Sequence, residues 1–371
     1  MSCPTIADGG WGHNHLSGGF GRRGGMFGWQ TRAFAPAMSL SGAHPVARRA
    51  RWDRSATGSI MSAEDRTLAA AGFILIYATV IGYTDNYVRV IAAEAGMWQF
   101  HATRSLLALV LVAILAVPLS LRLRPVNPRA VLARSTIHGL AMLIYFGSLA
   151  FLPVAQVAAG LFTAPIFVLL ISHFAFGQAI GPVRVLAVAT GFLGVILVLG
   201  PTAMQGASVA ALLPVLAGAM YATGNIATRR WCAQESAETL LAAFFAALGL
   251  LGLIGLVVLA LVPVAVPDGA DGFIQRGWVW PSGTFWFWTL VQAAGSLFGV
   301  GMMIKAYQMA DASRVSVFEY MILPASAFWG WILWGERLTP MALTGMALIA
   351  AAGVVIALRA RQVPSPTASR Q

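Results

Sequence analysis

The chain has 371 residues, of which 58% are hydrophobic and only 10% are charged. A soluble domain carries about 25% charged residues, so this composition excludes a water-soluble globular protein. The formal net charge of +11 does not point to nucleic acid, because the basic residues fall in a leader and in short connections between apolar runs, as in a polytopic membrane protein.

Residues 1–60 hold seven Arg against Asp8 and Asp53. The stretch "GGWGHNHLSGGFGRRGGMFGW" has no apolar period and cannot bury enough surface to offset its ordering entropy. Residues 1–66 are therefore expected to be a disordered extension, with His13 and His15 in a tail rather than a metal site. No apolar run follows these arginines, so the segment does not read as a signal peptide. The change of composition at "MSAEDRTLAAAGF" predicts a natural start at Met61. Cys3 lies in this tail and Cys232 in a basic loop, which implies no disulfide framework.

Ten apolar spans follow: Thr67–Arg89, Phe100–Leu119, Ser135–Leu152, Val154–Phe176, Val183–Gly200, Ser208–Thr228, Thr239–Val262, Thr284–Lys305, Ser313–Trp334 and Met341–Leu358. Each approaches the roughly 20 residues that a helix needs to cross a bilayer. The expected fold is all-α, with ten transmembrane helices. The connections at Pro153 and after Phe176 are so short that the flanking helices must be antiparallel neighbours. Residues 359–371 are expected to be a disordered tail.

Loop charge sets the orientation. With the N-terminus inside, the inner connections carry Arg122, Arg124, Arg129, Arg134, Arg184, Arg229, Arg230, Lys305 and Arg314, and the tail adds Arg359, Arg361 and Arg370. The outer side holds only Arg89, Arg276 and Arg337. The positive-inside rule then puts both termini in the cytoplasm of a multi-pass inner-membrane protein. The longest outer connection ends "GWVWPSGTFWFW", and its Trp278, Trp280, Trp286 and Trp288 fit an interfacial aromatic belt.

Ten spans divide into five plus five. "FGQAIGPVRVLAVATGFLGVILVL" aligns with "WGERLTPMALTGMALIAAAGVVIAL", Gly177 on Gly335 and Pro182 on Pro340. An odd number of helices per repeat inverts the second copy, an arrangement typical of secondary transporters. The expected repeats are 67–200 and 208–358.

The segment "AYQMADASRVSVFEYMILPASAFWGWILWGERLTPMALTGMALIAAAGVVI" resembles the drug/metabolite transporter superfamily, in its EamA-like ten-helix branch. Ala306-Tyr307, Phe318-x-Tyr320 and Gly335-Glu336 carry the likeness, together with Arg104 opening the second span. "TDNYVR" is similar to the types that export or import S-adenosylmethionine and amino-acid metabolites, where an acid and a base close the first helix, here Asp85 and Arg89. One departure is Gly177-Gln178, where the family usually has Gly-Glu. The resemblance implies carrier transport of a small molecule and does not fix the substrate.

Glu319 is the ionisable group within an otherwise apolar run. An acid inside a membrane helix costs about 2.5–3.5 kcal/mol at the centre. Ser316, Glu319, Leu323, Ser326 and Gly330 share one helical stripe, which should face the bundle interior. The alternative is a carboxylate held at the membrane edge by Arg314. Asp85 and Arg89 are four residues apart with the acid first, the favourable order for a helical pair; a functional pair and an interfacial salt bridge are both open. Arg104 suits a substrate carboxylate or a clamp on Asp85 or Glu319. Lys305, Asn225 and Tyr320 complete the candidates for substrate binding or coupling. His101, His138 and His173 read as interfacial. Gly249, Gly252, Gly255, Gly295 and Gly299 read as helix-packing positions.

No phosphate-cradling loop, catalytic triad or metal motif is present, which leaves an ATP-driven pump or a membrane enzyme without support and implies no cofactor. The reading is a secondary transporter of a small polar metabolite: an amino acid, a derivative or an S-adenosylmethionine-like compound. Its partners are the substrate and the lipid bilayer, and no nucleic acid. A proton, a counter-substrate and a homodimer are each compatible with the chain. The alternatives are a nucleotide-sugar or phosphorylated-metabolite exchanger, with Lys305 and Arg104 on the phosphate, and a non-transporting scaffold or assembly factor.

Overall fold

A computed structural model describes residues 63–149, 152, 154–201, 209–267 and 272–360. The Met61 start, the His13/His15 pair, Cys3, Pro153 and the tail from residue 361 lie outside the described residues. No strand occurs among the described residues, and ten helices are long and apolar enough to cross a membrane.

The helices are α1 (Ala63–Asp85, continued as Val88–Glu94), α2 (Met97–Ala116), α3 (Pro128–Ser148), α4 (Val154–Leu161 and Ala164–Phe174), α5 (Pro182–Leu199), α6 (Leu212–Arg230), α7 (Ala237–Leu261), α8 (Gly283–Met309), α9 (Ala312–Phe318, a 3-10 turn Glu319–Met321, then Ile322–Trp334) and α10 (Pro340–Ala360). Their starts follow local chemistry. The Asn127 side chain accepts from Ala130 N, and Pro128 opens α3 where a missing N–H is harmless. Ser236 caps α7 and Ser282 caps α8.

Burial runs opposite to that of a soluble protein. Leu253, Ile254, Val257, Val258 and Val354 are exposed, whereas Arg104, Arg134, Asn225, Gln292 and Glu319 are buried. So wide an apolar exterior is tolerated in lipid and not in water, and the chain is a multi-pass membrane protein.

The contacts between helices obey a two-fold rule. α1 packs on α8 and α9, and α6 packs on α3 and α4; α3 meets α7 as α8 meets α2; α2–α7 and α5–α10 pair across the middle. Exchanging helix n with helix n + 5 maps this set onto itself. The sequence carries the same relation: Tyr77-Ala78-Thr79 in α1 recurs as Tyr221-Ala222-Thr223 in α6. Both threonines back-bond one turn, Thr79 to Leu75 O and Thr223 to Ala219 O, each at 2.8 Å.

The connections after α2, α4, α6 and α8 form one face, here face A, where Glu235 accepts from Val126 N and Asn127 N. Those after α1, α3, α5, α7 and α9 form face B, where Trp98 Nε1 donates to Ile274 O.

Several boundaries differ from those read off the sequence. α3 begins at Pro128 rather than Ser135, so Arg134 is no loop charge: it lies within the helix and is 1% exposed. α2 begins at Met97, which puts His101 and Arg104 inside the bundle. Trp278, Trp280 and Trp286 are exposed as a belt requires, but Trp288 turns inward and stacks on Tyr87 with centroids 3.5 Å apart.

Candidate functional site

α4 and α9, related by the two-fold rule, are both interrupted halfway. Proline has no N–H and crowds the carbonyl four residues earlier. Pro165 stands four after Leu161, where the first half of α4 ends, and Pro324 stands four after Tyr320, inside the 3-10 turn of α9. The two breaks face each other, with the Phe162 and Tyr320 rings 6.3 Å apart. Interrupted helices at membrane depth characterise the binding sites of transporters.

Glu319 lies in the α9 break, 3% exposed and about 10 Å from the start of α9 at 1.5 Å per residue. The Tyr221 hydroxyl donates to its Oε1 at 3.0 Å, and Asn225 Nδ2 donates to the same oxygen at 3.4 Å. Asn225 Oδ1 is 3.0 Å from His138 Nε2. The Tyr221 oxygen also lies 2.8 Å from Met303 Sδ and 3.4 Å from the Tyr77 hydroxyl. Thus the repeat-related tyrosines meet beside the acid. One turn towards face A on the same helices, Arg134 donates to Thr228 Oγ1 at 2.9 Å and to Leu240 O at 3.4 Å. Neutral oxygens hold this buried cation.

A second polar cluster lies towards face B. Gln292 of α8 donates from Nε2 to Asp85 Oδ1 at 2.9 Å, and its Oε1 accepts from Arg104 Nη1 at 3.2 Å and from Ser296 Oγ at 2.9 Å. Arg104 Nη2 is 3.4 Å from His101 Nδ1. The rings of Phe100, Phe146 and Phe245 lie 5.0, 5.9 and 5.9 Å from the guanidinium carbon, within cation–π range. Gly295 lets α1 approach, since a Cβ there would overlap the Thr84 methyl. Arg104 is 5% exposed, yet Asp85 is exposed. An exposed carboxylate is thus bonded to a buried amide.

These positions settle several expectations. The stripe from Ser316 to Gly330 does face inward. Arg314 is near Asp311 and Thr67, not Glu319. Asp85 and Arg89 do not pair. α1 breaks between them: Asn86 turns its amide onto Gly82 O at 2.7 Å and Ser326 O at 3.1 Å, and Arg89 swings to Glu336 at 2.6 Å. Lys305 is exposed and points away from the buried Met303 and Tyr307 of its own helix. His101 and His138 are buried members of the two clusters rather than interfacial residues, whereas His173 is exposed as expected. Tyr320 is fully buried against Gly191. Gln292, Tyr221 and Arg134 are site residues beyond those expected from the sequence. The recurring Tyr-Ala-Thr triplet was a readable signal for Tyr221.

Known proteins resemble this chain in sequence and in fold. Residues 68–200 match the EamA-like transporter family. A riboflavin transporter of Rhizobium johnstonii is 28% identical over 227 residues, covering 61% of this chain and 68% of its own. A riboflavin transporter of Brucella anthropi is 25% identical over 57% of this chain and 70% of its own. The pseudopaline exporter CntI of Pseudomonas aeruginosa is 25% identical over 61% of this chain and 73% of its own. A crystal structure with 20% identity superposes at a TM-score of 0.62 over 81% of this chain and the whole of that one, a likeness of fold. The EamA-like match over residues 68–200 and the ten spanning helices make the chain similar to the drug/metabolite transporter superfamily, in its EamA-like branch.

Proposed function

We propose that this protein is a secondary transporter that moves a small polar metabolite across the inner membrane by alternating access. Five-helix halves, 67–200 and 208–358, rock about the paired breaks of α4 and α9. Face A is cytoplasmic, as the arginine distribution requires. Glu319 carries the reading: a carboxylate held in a membrane-depth break by neutral donors is expensive to keep and marks a transport path. Asp85, Arg104, Asn225 and Tyr320 join it as binding or coupling residues, and a proton or a counter-substrate supplies the drive. The relatives' printed substrates, riboflavin and pseudopaline, are both small polar metabolites in keeping with this class. The phosphorylated-metabolite alternative loses support, because Lys305 faces away from the interior stripe.

The test is Glu319→Gln in reconstituted liposomes, with transport normalised to folded protein. The variant should insert and fold, since an intramembrane charge is removed. Transport should fall tenfold or more, about 1.4 kcal/mol, and its pH dependence should flatten. Wild-type rates with a wild-type pH profile would remove Glu319 from the mechanism.

A further inference from the structure

Each half of the molecule lays one of its connections across the other half. At face A the α2–α3 connection of the first half crosses the start of α7. Arg122 O accepts there from Ser236 Oγ and from Thr239 Oγ1, the latter at 2.6 Å, and the N–H groups of Val126 and Asn127 donate to Glu235 at 2.9 and 2.6 Å. At face B the α7–α8 connection of the second half crosses the start of α2. Met97 N donates to Phe273 O at 2.8 Å, and Gln99 grips Val279 O and Val279 N at 2.7 and 2.9 Å. Ser282 donates from N and Oγ to Glu94 at 3.1 and 2.9 Å. The two straps correspond under the exchange of helix n with helix n + 5. Gln99 and Thr239 are each the third residue of their helix. Glu94 and Glu235 each stand just before that helix, and each binds the N-cap residue of the helix into which the strap leads, Ser282 of α8 and Asn127 of α3. A carboxylate so placed also meets the positive end of a helix dipole.

We infer that Glu94 and Glu235 are the latches of the transport cycle, positioning residues that hold the two faces shut in turn. This rests on the transport reading and goes beyond its central site. Every bond named above joins a residue of one half to a residue of the other, so neither face opens between the halves until its strap lets go. Rocking that parts the halves at one face presses them together at the other, so the two latches release alternately. The bonds suit a reversible fastening. A carboxylate that accepts two donors is charge-assisted and firm, yet both latches lie at helix ends rather than in the bundle. Val126, Asn127 and Glu235 line a cavity of about 740 Å³ at face A, so donors released there pass to water instead of being stranded, which a backbone N–H requires. The two acids hold with different firmness. Glu235 is 5% exposed, and both its partners are backbone N–H groups that only donate. Glu94 is half-buried, and one of its partners is a hydroxyl, which also accepts.

The test reads Cys232, buried in the α6–α7 connection shortly before Glu235, as a reporter of face A. The full chain, with Cys3→Ser, is reconstituted in liposomes and labelled with N-ethylmaleimide, which reaches both sides. Glu235→Gln leaves one acceptor for two backbone donors. Face A should then open more often, and Cys232 should react faster by about threefold or more, within reach of one lost hydrogen bond to a charged group. Glu94→Ala undoes the latch on the face away from Cys232. It should slow Cys232 by a similar factor, because the halves then rest with face A shut. Cysteines replacing Glu94 and Gly283, bridged by a short bifunctional thiol reagent before labelling, should do the reverse and speed it. A Cβ at Gly283 meets open space, and Ser282 keeps its cap. A merely structural role predicts lower melting temperatures, with Cys232 labelling level or faster in both acid variants. Unchanged or faster labelling in Glu94→Ala therefore overturns the latches. Liposome flux separates the two levels. If Cys232 ignores Glu94 while Glu319→Gln still slows transport, the latches fall and the transport reading stands. If Cys232 answers to Glu94 but Glu319→Gln transports as wild type, the latches stand and Glu319 leaves the mechanism.

Discussion

The C-terminal ends of α4 and α9 are built alike and finished differently. Both helices stop at a glycine in the left-handed region, Gly177 at φ 61° and Gly335 at φ 66°. In both, the next residue's N–H reaches back six residues, Gln178 N to Ser172 O at 3.0 Å and Glu336 N to Gly330 O at 3.3 Å. Each is followed five residues on by a proline that opens the next helix, Pro182 and Pro340. In both, the aromatic residue before the glycine lies under an arginine from the opposite half: Arg230 over Phe176 at 4.5 Å, and Arg89 over Trp334 at 4.9 Å. Only the last step differs. Glu336 closes an ion pair with Arg89 at 2.6 Å, whereas Gln178 lines a cavity of about 480 Å³ together with Arg229, Arg230 and Asp311. The backbone device is symmetric and the charge on it is not. In an alternating-access carrier with repeat-related ends, such an imbalance favours the state in which the face B end is fastened.

Magnitude limits how far that bias goes. The paired side chains are 51% and 47% exposed, and exposed pairs contribute about 0.2–1 kcal/mol. A few-fold preference between states follows, not a lock.

The largest expected effect is all-or-none and tests whether the two ends lie on opposite faces at all. Single cysteines replacing Gln178 and Thr339 should react with an impermeant maleimide from opposite sides of the membrane, Gln178 from the cytoplasm. Background from Cys232 should be low, because the residue is buried and burial pushes its thiol up to about 11. Same-side labelling would end the comparison.

Next comes Gln178→Glu, which gives face A the missing carboxylate opposite Arg230. It should make the two ends alike and narrow the vestibule. The labelling rate of a cysteine replacing the exposed Ala233 beside it should fall by up to about fivefold, the value of 1 kcal/mol. Transport should slow by a similar factor. An unchanged labelling rate would show that the vestibule does not open and close at this point.

These two ends were legible in the sequence, because a helix stop is local chemistry. A glycine that must adopt positive φ and a proline at a helix start declare themselves wherever the chain puts them. The ten spans were legible for a similar reason, since the bilayer fixes their length. The interior of the site was not. Gln292 is an ordinary residue in an apolar helix, and only packing decides that it separates two charges; Tyr221 was flagged by the repeated Tyr-Ala-Thr triplet, but its meeting with Tyr77 beside Glu319 is again a matter of packing. Asp85 and Arg89 had the right spacing for a pair, but spacing assumes an unbroken helix, and Asn86 breaks it. Arg134 was hidden among Arg122, Arg124 and Arg129. There the cue existed, because Asn127-Pro128 is a helix start that moves Arg134 two turns into the bundle. Pro165 and Pro324 likewise announced the breaks in α4 and α9.

The smallest effect concerns the fastened end itself. Arg89 makes two contacts there, the ion pair with Glu336 and the stack on Trp334, and the two respond differently to substitution. Glu336→Gln removes the charge but keeps an oxygen that Arg89 can bond, so only the charge-assisted part is lost. Arg89→Lys keeps the charge but gives up the flat guanidinium that covers the indole. Both variants should fold, and neither should cost more than about 1 kcal/mol. Arg89→Lys should be the worse of the two, because an exposed ion pair is screened by salt and a stacked plane much less so. Melting temperatures at low and high salt separate the contributions: the Glu336→Gln deficit should shrink as salt rises, and that of Arg89→Lys should persist. The double variant then gives the coupling. A coupling energy well above 1 kcal/mol would mean that the pair is far better shielded than its exposure implies, and the face B end would then be a lock rather than a bias.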